Sequence, residues 1–126
     1  MQTLYPVLKY RDAHAAFDFL EKAFGFERLN VFEVEKGGVG HAELTFGGQV
    51  LMSGSAGEGD ERFNEGLGRT SVYVVVDDPD SLHARARDAG AEIVMEPTDQ
   101  PYGSRDFIAR DPEGNLWSFG TYRPEV

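Results

Sequence analysis

The chain has no cysteine. Disulfides, thiolate metal sites and a cysteine nucleophile are therefore excluded, and the absence fits a reducing cytoplasm. Basic residues are scarce: 12 Lys and Arg stand against 22 Asp and Glu, a formal charge of −10. Nucleic acid and anionic membranes both reward a basic surface, so neither is an expected partner. No apolar run approaches the roughly 18 residues that a membrane-crossing helix needs. The first residues lack the basic, apolar and cleavage regions of a signal peptide, and a cytoplasmic location is expected. There is no glycine-rich phosphate loop leading into a helix and no serine nucleophile elbow.

What is present is enough for one compact domain. The 126 residues are 40% hydrophobic and 12% aromatic, which is globular composition. They follow one plan twice. Leu4–Tyr10 reads as a strand and Asp12 as the N-cap of a helix over Ala13–Phe24, with Phe17, Leu20 and Phe24 as its buried stripe and Gly25 as its stop. Strands over Glu27–Glu35, Val39–Phe46 and Gln49–Gly54 follow. The second copy runs from the strand Thr70–Val76 through Asp78 into a helix that starts at Pro79 and ends near Ala89. Strands at Ala91–Glu96 (stopped by Pro97), Arg105–Arg110 and Leu116–Tyr122 complete it. Tyr5 and Ser71, Asp12 and Asp78, and Gly48 and Gly114 are each 66 residues apart. An offset shared by three anchors points to duplication of a unit that cannot bury its apolar face alone. Module one covers about 1–55 and module two about 70–126 within a single domain. The glycine-rich, acidic stretch Ser55–Gly68 reads as a linker, or as a lid over a pocket.

Three landmarks carry a resemblance over nearly the whole chain. They are Asp12 before a helix ending Phe-Gly-Phe, Asp78 before a helix ending Ala89-Gly90-Ala91, and Asp111-Pro112-Glu113-Gly114-Asn115 before the last strand. Together they resemble the vicinal oxygen chelate superfamily, which includes glyoxalase I, extradiol dioxygenases, fosfomycin-resistance enzymes and bleomycin-resistance proteins. The resemblance implies an α+β fold of two tandem βαβββ modules, whose curved sheets form a cup with the helices outside. It also implies a homodimer. The metal-dependent members place ligands on the first and last strands of each module. The matching positions here are Tyr5 and Ser71, and Met52 and Ser118. A phenol, a thioether and two hydroxyls suit a catalytic divalent metal poorly, so no cofactor is expected.

Alternation along the strands extends this list. His41 and Glu43 share the face opposite Ala42, Leu44 and Phe46. Tyr73 follows Ser71 on its face, and the 66-residue offset aligns Phe107 with His41, with Arg105 beside it. The candidate ligand-binding residues are thus Tyr5, His41, Glu43, Met52 and Ser71 with Tyr73, Arg105, Phe107 and Ser118. Their mixture of aromatic, apolar and a few polar groups suits a small-molecule pocket, and equally interior packing. Arg105 could clamp a carboxylate or pair with a surface acid. Trp117 alternates away from Ser118 and reads as packing between sheet and helix. Two functions remain open. One is a metal-free protein that binds a flat aromatic or cationic small molecule. The other is an enzyme of lyase, isomerase or dioxygenase type with a non-standard site at His41 and Glu43, histidine beside a carboxylate being a plausible general base.

Overall fold

A computed structural model describes residues 1–126. Strands β1 (Val7–Tyr10), β2 (Glu27–Glu33), β3 (Val39–Phe46) and β4 (Gln49–Ser55) form one mixed sheet in the order β1-β4-β3-β2. Strands β5 (Ser71–Val75), β6 (Glu92–Asp99), β7 (Arg105–Arg110) and β8 (Leu116–Gly120) form a second in the order β5-β8-β7-β6. In each sheet only the outer pair, β1 with β4 and β5 with β8, is parallel. A crossover helix separates the first strand of each module from the rest, as parallel pairing demands. The fold is α+β, two βαβββ modules, and neither sheet closes into a barrel.

Helix α1 (Ala13–Phe19) starts where Asp12 accepts the Ala15 N–H at 3.1 Å. It continues as a wider π-helical turn, Leu20–Phe24, and stops at Gly25, whose φ of 82° is in the left-handed region. Helix α2 (Pro79–Asp88) repeats the start, with Asp78 accepting the Ser81 N–H at 3.1 Å. Several strands differ from their expected bounds, two of them at a proline. Strand β1 begins at Val7 rather than Leu4, because Pro6 has no N–H to give to a ladder. Strand β6 runs past Pro97 to Asp99. It is the edge strand of its sheet, and its pairing is irregular between Met95 and Thr98, so the missing N–H is tolerated. The linker holds a short 3-10 helix, Glu61–Gly66, capped by Asp60, and Lys9 Nζ donates to the Glu58 carbonyl at 3.0 Å.

One core serves both modules. Its module-one members include Leu8, Tyr10, Phe17, Leu20, Phe24 and Leu44, and its module-two members include Phe107, Ala109, Trp117 and Phe119. The strand residues among them pack toward the helices. Phe24 joins the halves, with ring centroids 4.8 Å from Phe119 and 5.6 Å from Trp117. Arg85 on α2 adds a polar tie by donating to the Lys22 and Glu21 carbonyls at 3.0 and 2.9 Å. A cation is favoured at such a helix C-terminus. The other face of each sheet is left half-buried or exposed. No helix is long and apolar enough to cross a membrane.

Candidate functional site

The faces turned away from the helices are set by register. In sheet one, Met52 pairs with Val7 on one side and Glu43 on the other. His41 and Phe32 pair next along the same face. In sheet two, Ser118 pairs with Tyr73 and Ile108. Each outer face therefore has a continuous row: Val7, Met52 and Glu43 in one module, Tyr73, Ser118 and Ile108 in the other.

Most of the residues singled out from sequence fall on these faces. His41 Nε2 lies 2.9 Å from Glu43 Oε2, and Asn30 Nδ2 donates to Glu43 Oε1 at 2.8 Å. The Asn30 amide, followed by His41, holds the Glu43 carboxyl below its ordinary range. Phe32 stacks on the His41 ring at 6.1 Å and is itself 59% exposed. Tyr5 precedes β1, and its phenol donates to the Gln2 carbonyl at 3.2 Å. Met52 and Ser118 are half-buried, and Ser71 opens β5 exposed to solvent.

Arg105 and Phe107 lie on the opposite face. Phe107 is fully buried among helix-facing residues, stacked on Phe119 at 5.1 Å. Arg105 is held by both Asp80 oxygens, at 2.8 and 2.9 Å, and by Asp99 at 3.1 Å. It has no free fork for a ligand carboxylate. The cause is one residue of turn length. The equivalent pairs Thr45–Val50 and Arg110–Leu116 enclose four residues between β3 and β4 but five between β7 and β8. The offset for the third strands is thus 65, not 66: Glu43 matches Ile108, and Ala42 matches Phe107. A slip of one residue exchanges the two faces of a strand. The structure places Asp106, Ile108 and Arg110 on the outer face instead. His83 on α2 packs edge-on to Phe107 at 5.5 Å.

A groove of about 650 Å³ lies open between the sheets. Phe26, Phe46, Val50, Val74 and Trp117 line it, and Tyr73 is the one sequence-derived candidate among its walls. Of the other candidates, His41, Glu43, Met52, Ser71 and Ser118 spread over two separate open faces, whereas Arg105 and Phe107 face the helices.

The family model described as Glyoxalase/Bleomycin resistance protein/Dioxygenase superfamily matches residues 4–119. The chain belongs to that superfamily. It is 33% identical to the Mycobacterium bovis protein Mb0911c over 98% of this chain and 85% of that protein. Among solved structures, TioX from Micromonospora sp. ML1 is 33% identical, superposes with a TM-score of 0.78, and covers 96% of this chain and 100% of its own. A glyoxalase I mutant from Zea mays shares the fold at TM-score 0.76 and 19% identity, over 98% of this chain and 45% of that one.

The superfamily's metal-dependent members set a test for this donor set. Tyr5, Met52, Ser71 and Ser118 supply no imidazole and no carboxylate, and no three His, Asp or Glu side chains come together anywhere in the chain. These residues do not fit a catalytic divalent ion. A different superfamily landmark has a clear structural role. Asp111 is buried and accepts five hydrogen bonds. Glu113 N–H (3.0 Å) and Asn115 N–H (3.1 Å) donate to Oδ1. Tyr10 OH (2.7 Å), Asn115 Nδ2 (2.9 Å) and Trp117 Nε1 (3.0 Å) donate to Oδ2. Glu113 takes the Arg11 and Asp12 N–H groups at 2.6 and 2.8 Å. The Asp-Pro-Glu-Gly-Asn turn of module two thereby locks onto the end of β1 in module one. Sequence showed the turn but not its partner, because Tyr10 is 101 residues away.

Burial, and then the Asp111 charge, push the Tyr10 phenol far above its usual value of 10.0. The unfolded chain ionises this tyrosine first, so above pH 10 the folded state holds the extra proton. Stability is expected to fall by about 1.4 kcal/mol per pH unit there. Tyr10→Phe should remove that share of the alkaline slope in urea melts between pH 9 and 11. An unchanged slope would contradict the assignment.

Proposed function

We infer that this protein binds a small organic molecule without a metal, in a cup assembled from the two outer sheet faces. The observation that carries this reading is the composition of those faces. They combine apolar and aromatic groups with a few polar ones and lack metal donors at the positions where the superfamily's metalloenzymes hold them. The mixture Val7, Met52, Phe32, Tyr73 and Ile108 with His41, Glu43 and Ser118 is that of a ligand pocket. The net charge of −10 draws cations toward it.

A second copy of the chain would complete the cup. Within one chain the modules pack through their helix-facing sides, so the two outer faces do not enclose a common space. Tyr5, Val7, Phe32, Tyr73 and Val94 are left as exposed large hydrophobics. Apolar surface of this extent on a sheet marks an interaction face. A symmetric dimer that sets module one of each chain against module two of the other would cover both at once.

The same observations weigh against a reaction centred on His41 and Glu43. Both Glu43 oxygens are engaged, and a carboxylate held below its ordinary range is a weaker base. The hydrogen-bonded pair does keep general-base chemistry as the second reading. It would be favoured by turnover of a bound compound that is lost in His41→Gln with binding retained.

Native mass spectrometry on protein purified without chelators tests the first reading. The expected species has twice the 14.0 kDa chain mass and no divalent ion. A stoichiometric divalent ion would contradict the metal-free reading, and a single-chain mass would contradict the shared cup.

A further inference from the structure

The outer face of sheet two holds a buried carboxylate without a counter-charge. Asp106 is 8% exposed. It accepts hydrogen bonds from the Ser104 hydroxyl and, at 3.2 Å, from the Tyr102 phenol. Both donors are neutral. Asp106 forms no ion pair, although Arg105 beside it forms two on the other side of the strand. A carboxylate taken out of water is costly unless charge or several donors offset the loss. Asp111, with its five donors, shows the satisfied case. Asp106 has two, so accepting capacity remains.

Three tyrosines gather around it. The rings of Tyr102 and Tyr122 stand perpendicular, 5.8 Å between centroids, as two walls of a corner. Tyr122 is pinned at its backbone: its N–H donates to the Ser104 hydroxyl at 3.1 Å, and its carbonyl accepts the Tyr73 phenol at 2.7 Å. Asp106 pairs with Gly120 across β7 and β8. The Asp106 carboxylate and the Tyr73 hydroxyl both fill the space that a Cβ on Gly120 would occupy, the hydroxyl at 2.7 Å from it. Glycine at this position leaves room for both the acid and the phenol over the strand. Tyr102 is 62% exposed, so one wall of the corner faces solvent.

We propose that Asp106 with Tyr73, Tyr102 and Tyr122 is a subsite for an organic cation, specifically an alkylated ammonium group. The carboxylate supplies the opposite charge, and the aromatic walls supply cation–π attraction while keeping the group partly dry. A metal cation suits the site less, because one carboxylate and neutral phenols fall short of the six or more oxygen ligands that calcium takes. The proposal rests on the reading of this face as part of a small-molecule cup, and it names the chemistry of one end of the ligand.

The test is isothermal titration of the intact protein with choline and with its neutral isostere 3,3-dimethylbutan-1-ol. Choline is expected to bind about tenfold tighter or better. Asp106→Asn should remove most of that difference. Tyr102→Leu, at an exposed ring, should weaken choline severalfold without unfolding the chain, and it serves if Asp106→Asn folds poorly. Equal binding of the two probes would overturn the proposal, as would a preference for choline that survives both substitutions. If neither probe binds while a neutral aromatic compound still stabilises the protein, the cation subsite fails and the cup reading stands. If nothing binds, both fail.

Discussion

Replacing Asp111 with alanine is expected to cost about 3–5 kcal/mol of folding stability, because it strips a buried carboxylate from donors that have no other partner. Tyr10 OH, Asn115 Nδ2 and Trp117 Nε1 all converge on one oxygen, and two backbone N–H groups hold the other. Tyr10 and Trp117 are buried, so water cannot take over without opening the core. Asp111→Asn keeps the shape and one acceptor oxygen but introduces an amide among donors, and should recover only part of the loss. Urea denaturation followed by tryptophan fluorescence reads both variants, with Trp117 as the single tryptophan. A loss below about 1 kcal/mol for the alanine variant would mean that the inter-module lock is not a stabilising element.

Phe24→Ala should be of similar size, about 3–5 kcal/mol, for a different reason. The ring is fully buried at the junction of both modules, with Phe19 at 5.1 Å in addition to its contacts on Phe119 and Trp117. Its removal leaves a cavity walled by large aromatic rings, which cannot collapse into it cheaply. Because the core is shared, the variant should still unfold in one transition, at a lower urea midpoint. Two separated transitions would show that the modules are independent folding units. Phe63→Ala is the matched control: that ring is 58% exposed and should change little.

The repeat in the sequence located more of the fold than of the site. The 66-residue offset matches Val7 to Tyr73 and Met52 to Ser118, and the observed pairings agree at both points. Strand alternation placed His41 and Glu43 together on the outer face, and they are hydrogen-bonded there. The offset failed on β7, where the longer Asp111–Asn115 turn absorbs one residue and turns Phe107 and Arg105 toward the helices. Asp106 was hidden for the same reason: an acid beside an arginine reads as a surface pair until the register separates their faces. The acceptor role of Asp111 was not readable either, since it depends on a tyrosine contributed by the other module. Local patterns report local geometry, whereas these contacts exist only after the modules dock.

The proposed cup would take its ligand without a metal. The most direct test is a thermal melt of chelator-stripped protein against a panel of aromatic and cationic small molecules, each repeated after adding a divalent ion. At least one compound is expected to raise the melting temperature in the chelator, by the amount that about 2.7 kcal/mol of linkage gives at a hundredfold excess over Kd, and to do so equally with the ion present. Stabilisation that appears only after the ion is added, or by no compound in the panel, would contradict it.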